Sequence, residues 1–247
     1  MAWPRPPGTL AAAASQGFPA RLQLDGQSYE IRYGPGQDFE SQQDFFAPCR
    51  AALREPCEAM LQVLETLGCL ESLPLDPRGT LLVALPFCGS MQELPLLAHF
   101  LSTRCLGHRG VANISILASD VQDWAELGGY WRQKEKYVRR WYSGMELRFC
   151  QLDLQSIRHP PSSLTFAFHP ECTVHRDVWR RILHNVISAT TGLCVVATFN
   201  EEEMKFVVGV GQELGRQVLC QRNPYYADST NRGGATPPFL NHLVFVR

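Results

Sequence analysis

The chain is predicted to be an α/β domain: a doubly wound, mostly parallel seven-stranded sheet with a closing antiparallel strand and helices on both faces, plus an N-terminal hairpin and helical extension. Three observations predict this. From residue 80 onward, short apolar runs alternate with helical segments, the pattern of parallel strands joined by crossover helices. The last two runs are separated only by a polar loop, so they should pair antiparallel. A chain of 247 residues with 45% apolar side chains suits one such domain with embellishments and is short for two.

The elements follow in order. Residues 1–18 are Pro/Ala-rich with a single arginine, which reads as a disordered tail and not as a signal or transit segment. Residues 19–78 form the extension. In its hairpin Leu22 and Leu24 alternate, Asp25-Gly26 makes the turn, and Tyr29, Ile31 and Tyr33 alternate again. A helix follows over 43–67, with an interruption expected near Pro56. Its apolar face is marked by Leu53, Cys57, Met60, Leu61, Leu64 and Leu67 at spacings of three and four. Residues 79–247 are the α/β domain. Its strands are predicted at 81–85, 114–118, 147–152, 164–168, 193–199, 217–222 and 243–246, and its helices at 93–104, 121–142, 176–190 and 201–214.

Composition narrows the function classes. A net charge of −1 gives no global attraction to nucleic acid or anionic membrane. No apolar run approaches the roughly 20 residues that a membrane span needs. The nine cysteines are odd in number and include no C-x-x-C pair. They read as reduced, mostly buried thiols, in the cytoplasm or another reducing intracellular compartment.

In a doubly wound sheet the ligand lies outside the carboxyl ends of the strands, so those ends carry the site. The first is Pro86-Phe87-Cys88-Gly89-Ser90-Met91, which opens an amphipathic helix near Glu93. The second is Ser119-Asp120, the third Gln151-Leu152-Asp153-Leu154, and the fourth His169-Pro170-Glu171. Thr198-Phe199-Asn200 ends the fifth and Asn223-Pro224-Tyr225-Tyr226 the sixth.

The strand–CGS–helix turn, an acid after strand two, Q-x-D-L after strand three and a closing antiparallel strand resemble the class I S-adenosylmethionine-dependent methyltransferases, over residues 80–247. The resemblance implies a Rossmann-like domain that binds S-adenosylmethionine and transfers its methyl group to a nucleophilic acceptor, small or macromolecular. It assigns the methionine part of the cofactor to Gly89 with Pro86, Cys88 and Ser90. The ribose hydroxyls fall to Asp120, and the adenine to Asp153 with Leu154. The residue chemistry agrees: a carboxylate only accepts hydrogen bonds, and a glycine lets the backbone approach a ligand. Against the family's D/E-x-G-x-G-x-G pattern, Leu85 stands at the acid, Phe87 and Met91 stand at glycines, and Gly89 remains. The same residues have simpler readings. Asp120 can cap a helix beginning at Val121, Asp153 can cap a turn, and Gly89 can serve turn geometry alone.

After strand four, F-H-P-E replaces the D/N-P-P-Y/F of the amine-methylating members, so that motif's role does not transfer. His169 and Glu171 are the candidate bases, weighed against a plain strand end. H-x-x-C-x-x-H (His169, Cys172, His175) lacks a second ligand cluster, so no metal site is assigned. The polar loop 223–241 is a candidate substrate wall through Asn223, Tyr225 and Tyr226, with Asn200 beside it, or a plain surface loop. The segment WRQKEKYVRRWY (131–142) interleaves five basic residues with four aromatics. The neutral net charge favours a solvated face there over a nucleic-acid contact. The competing reading of the whole is a catalytically inactive Rossmann-like module that binds a partner. A nicotinamide oxidoreductase is disfavoured by the absence of G-x-G-x-x-G, and a serine hydrolase by the absence of G-x-S-x-G.

Overall fold

The structure, a computed structural model, describes residues 21–24, 27–30, 51–123, 131–227 and 240–247. The predicted tail, the hairpin's turn and most of the 223–241 loop lie outside these residues. β1 (Arg21–Leu24) and β2 (Gln27–Glu30) pair antiparallel, with Leu24 opposite Gln27. α1 (Ala51–Thr66) and a 3-10 turn at Cys69–Ser72 follow. The domain then alternates: β3 (Thr80–Leu85), α2 (Leu94–Arg104), β4 (Asn113–Asp120), α3 (Trp131–Trp141), β5 (Met145–Gln151), β6 (Ser162–Phe168), α4 (Arg176–Ala189), β7 (Thr190–Thr198), α5 (Glu201–Glu213), β8 (Val218–Arg222), the single turn α6 (Pro224–Ala227) and β9 (His242–Val246).

Seven of these strands form one sheet in the order β5-β4-β3-β6-β7-β9-β8. β3 to β7 run parallel, and β9 enters antiparallel between β7 and β8. The predicted antiparallel pairing of the last two strands is therefore present. The order starts at β3 and winds first toward β5, then back toward β8. The switch point falls between β3 and β6, where the ends of neighbouring strands diverge and leave a crevice.

Both faces of the sheet are covered, which is why these strands are almost wholly apolar. Leu81, Val83 and Leu85 of β3, with Leu193, Val195 and Ala197 of β7, pack in one core with Met60 and Leu64 of α1, Leu97 and Leu101 of α2, and Trp131 and Val138 of α3. The alternate β7 residues Cys194 and Val196 join a second core with Leu183, Val186, Val207 and Val210 of α4 and α5. Two expectations are corrected. α1 is not interrupted at Pro56 but runs through it. Proline removes one backbone donor near the start of the helix, a loss that the packing of Cys57, Met60 and Leu64 outweighs. The predicted helix over 121–142 is present at Trp131–Trp141, whereas Val121 and Gln122, at its predicted start, form a bend; residues 124–130 lie outside the described residues.

The eight described cysteines are free thiols. Burial pushes Cys105, Cys150, Cys172 and Cys194 up to about 12, which suits packing and not nucleophilic chemistry. No described helix is long and apolar enough to cross a membrane.

One buried base couples this core to pH. His159 is 2% exposed, its Nδ1 lies 2.8 Å from the Pro160 carbonyl, and burial pushes its pKa down to about 4. Between that value and the ordinary 6.5 the unfolded chain binds a proton that the folded chain excludes. The stability tied to neutral His159 is thus complete above pH 6.5 and falls as the pH drops toward 4, by about 3 kcal/mol. Urea unfolding at pH 7.5 and 4.5 should show this loss, and His159→Asn, which keeps a donor for Pro160, should flatten it. An equal acid loss in the variant would remove His159 from the account.

Candidate functional site

The site begins at the carboxyl end of β3. Phe87, Gly89 and Met91 all have left-handed backbone, with φ of 42, 51 and 36°. These are the positions that the pattern D/E-x-G-x-G-x-G gives to glycine, and here two bulky residues hold backbone that glycine adopts more readily. Such conformations cost roughly 1–3 kcal/mol per non-glycine residue and persist only where their surroundings over-determine them. The surroundings do so here. Asp120 Oδ2 accepts from Gly89 N at 2.9 Å, Cys88 N donates to the Ser119 carbonyl at 3.0 Å, and Met91 N donates to the Cys88 carbonyl at 2.9 Å. From α3, Trp131 Nε1 donates to the Gly89 carbonyl at 3.1 Å and Lys134 Nζ donates to the Ser90 carbonyl.

The basic, aromatic helix therefore has two faces. Trp131 is buried and stacks on Phe149 at 5.3 Å, and Lys134 sits 4.6 Å over the Trp131 ring. Burial pushes Lys134 down to about 8, partly offset by nearby Cys88 and Glu93. The same burial, with the Asp120 charge, raises the Cys88 thiol well above its ordinary range. Arg132, Lys136, Arg139, Arg140 and Trp141 face outward. The clamp formed by Trp131 and Lys134 was not singled out in the sequence. The signal was there, since Lys134 lies three residues after Trp131 and four before Val138, on the buried stripe.

Asp120 ends β4 and is 8% exposed. Its second oxygen accepts from Gln122 N at 3.0 Å, so it closes an Asx turn and does not cap a helix. Asp153 follows β5 and organises its own turn: Oδ1 accepts from Gln155 N and Oδ2 from Ser156 Oγ, both at 2.9 Å. Both carboxylates line one cleft of about 430 Å³, together with Phe87, Gly89, Val121 and Leu154. Val121 is an apolar side chain left 57% exposed at its rim. The other end of the cleft carries His169, Glu171 and Trp179. Phe87 meets Trp179 edge-on at 5.2 Å, which narrows the cleft between them.

Pro86, Cys88, Ser90 and Met91 line a second cavity of about 320 Å³ beside the same loop. Phe87, Gly89 and His169 border both spaces. His169 also has left-handed backbone (φ 54°), its N–H donates to the Ala197 carbonyl at 2.9 Å, and its ring stacks on Phe199 at 4.4 Å. Its Nε2 lies 3.6 Å from Oε1 of Glu93, a buried acid at the start of α2. That is ion-pair range and longer than a hydrogen bond. No group of three or more potential metal ligands occurs among the described residues.

The remaining candidates are placed elsewhere. Asn200 is exposed and caps α5, accepting from Glu203 N at 2.9 Å, while Glu203 Oε2 accepts from Phe199 N at 2.9 Å. This is a variant of the capping box, with the glutamate reaching the N–H one residue ahead of the cap. Asn223 is fully buried. Its Nδ2 donates to the carbonyls of Pro56 (2.9 Å) and Leu240 (3.0 Å), and its Oδ1 accepts from Tyr225 N (3.1 Å). Tyr225 and Tyr226 pack edge-to-face at 4.9 Å on α6, which lies against α1. None of these four residues lines either space beside the β3 loop.

The sheet order and the inserted antiparallel strand give the fold that is also found in S-adenosylmethionine-dependent methyltransferases. Solved structures agree. The chain is similar to the magnesium protoporphyrin IX methyltransferase of Synechocystis PCC 6803 with bound SAM, at a TM-score of 0.53 and 14% identity, over 87% of each chain. It is also similar to the methyltransferase domain of a bacterial Hen1 protein, at a TM-score of 0.50 and 13% identity, over 78% of this chain and 97% of that one. A third similarity is to the DszA carbon methyltransferase, at a TM-score of 0.53 and 11% identity, over 80% of this chain and 55% of that one. At these identities the likeness is one of fold. No protein-family model matches the chain, and no curated protein sequence does.

Proposed function

We propose that this protein binds S-adenosylmethionine in the cleft beside Gly89 and transfers its methyl group to a nucleophilic acceptor. The observation that carries the reading is the pair of turn-organising carboxylates, Asp120 and Asp153, on one cleft with the exposed apolar Val121 between their strands. A carboxylate has about four acceptor positions, and two on each remain after the bonds described above. Asp120 is thus fixed to receive ribose hydroxyls and Asp153 an exocyclic amine, with Val121 and Leu154 as apolar walls for a flat base. At the amino-acid end Gly89 borders the cleft, while Pro86, Cys88 and Ser90 of the same loop line the neighbouring cavity and hold the loop's course.

When bound, the cofactor supplies a methyl group on a positively charged sulfur, so the acceptor heteroatom gains the methyl, the sulfur becomes a neutral thioether, and a proton leaves the acceptor. His169, bordering both spaces, is positioned to take that proton, and Glu93 to stabilise the charge it acquires. Glu171, exposed on the cleft, is the other base within reach. Apo contacts such as the 3.6 Å His169–Glu93 separation commonly tighten when the complex forms.

The alternative, an inactive partner-binding module, draws on Phe87, whose ring narrows the cleft against Trp179, and on Leu85 at the family's acid position. Isothermal titration with S-adenosylmethionine and with its demethylated product separates the two. Methyl transfer requires saturable heat and a rise in Tm with the product. Ligand at about a hundred times Kd should add roughly 2.7 kcal/mol of stability. No heat and no Tm shift would leave the module reading.

A further inference from the structure

We infer that the 320 Å³ cavity beneath the β3 loop is the acceptor site, and that it takes a small, uncharged aromatic ring bearing adjacent hydroxyl donors. The inference rests on the methyl-transfer reading for the role of the bound ring, and on the cavity alone for its binding. Its walls have two kinds of chemistry. Phe166 and Phe168 of β6, which meet edge-on at 6.0 Å, and buried Met91 present the apolar faces. That combination suits a flat ring, through aromatic packing and soft sulfur contact.

The polar groups come from two consecutive residues. Gln92 Oε1 is shielded from solvent and makes no hydrogen bond among the described residues. A buried acceptor without a donor costs roughly 1–3 kcal/mol, a cost that a ligand donor would remove. Glu93, 5% exposed, adds a carboxylate acceptor at the next position. Among the described residues no lysine or arginine lines the cavity. Lys134, within electrostatic reach of Glu93, is engaged by the Ser90 carbonyl behind the loop. An anionic ring would therefore meet Glu93 with no lysine or arginine of the described wall to offset it, whereas a ring with two hydroxyl donors meets two acceptors. Because His169 and the loop at Phe87 and Gly89 border both spaces, a hydroxyl held here faces the cofactor cleft. The four residues expected in the sequence to bind substrate do not contribute to this wall.

The test uses the full chain labelled at its methionine methyl groups, with catechol as the probe and 1,2-dimethoxybenzene and benzoate as comparisons, all without cofactor. Catechol should shift the Met91 methyl resonance and leave those of core Met60 and Met145 in place. It should bind at least about tenfold tighter than either comparison, and Gln92→Leu should cost about tenfold in catechol affinity. Equal binding of the three probes, or an unmoved Met91 signal, overturns the inference. A separate titration with S-adenosylmethionine keeps the two readings apart. Catechol binding without cofactor heat rejects methyl transfer and retains the site. Cofactor heat without catechol binding retains methyl transfer and rejects this site.

Discussion

Asp120→Ala should abolish detectable S-adenosylmethionine binding, lowering affinity by more than about a hundredfold, and should destabilise the fold by about 4 kcal/mol. Two effects add. The carboxylate accepts backbone N–H groups from Gly89 at 2.9 Å and Gln122 at 3.0 Å, and it is 8% exposed. Hydrogen bonds to a charged group contribute roughly 1.5–3 kcal/mol each, and alanine leaves the Gly89 donor without its partner. Gly89 is the one glycine on a left-handed path shared with Phe87 and Met91, so losing its tether relaxes the segment that the cofactor must lie against. Asp120→Asn keeps the shape and one acceptor oxygen. It should retain about half the stability and still bind weakly. Urea unfolding and calorimetry on the two variants read these quantities. Wild-type affinity in Asp120→Ala would show that the cofactor, if bound, lies elsewhere.

Asn223→Leu should cost about 4 kcal/mol of stability while leaving ligand affinity unchanged. The amide joins three chain segments, pairing with carbonyls of α1 and of residue 240 and with the first turn of α6. Leucine fills the volume but removes a hydrogen bond from the Pro56 and Leu240 carbonyls and from the Tyr225 N–H, around a side chain with no solvent exposure. Truncations of this kind stand at the damaging end of single substitutions. Because Asn223 lines neither space at the β3 loop, S-adenosylmethionine titrated below the melting transition should give the wild-type Kd. A Kd raised tenfold or more would return this residue to the substrate wall.

The two variants also mark how far the sequence was legible. The seven strands are read correctly because a sheet covered on both faces needs short apolar runs, and Leu81–Leu85 or Leu193–Ala197 are nothing else. Asp120 and Asp153 are marked by their position after strands, a local property. Asn200 stands at a strand end, and N-x-x-E at 200–203 is also a capping signature; the cap is what forms. Asn223 is a different case. Its partner at Pro56 is 167 residues away, and no local pattern encodes such a pairing. The left-handed backbone at Phe87 and Met91 was equally hidden. Glycine signals a permissive position, but a tethered loop imposes the same φ on residues that resist it. Glu93 was read only as a helix start, since its meeting with His169 depends on how β6 lies beside β3.

The placement of β9 bears on the order in which the sheet can assemble. Among the described strands β8 pairs with β9 alone, and β9 closes the flank of β7, whose residues 193–197 are all buried and apolar. Until β9 arrives, β7 is an open, sticky edge and β8 is a strand with nothing to join. Such edges recruit other chains as readily as their own. Anything that delays β9, including the loss of the Asn223 tether to Leu240 just ahead of it, would therefore lengthen the life of an aggregation-prone intermediate. The soluble yield of Asn223→Leu should fall further than its equilibrium stability alone accounts for.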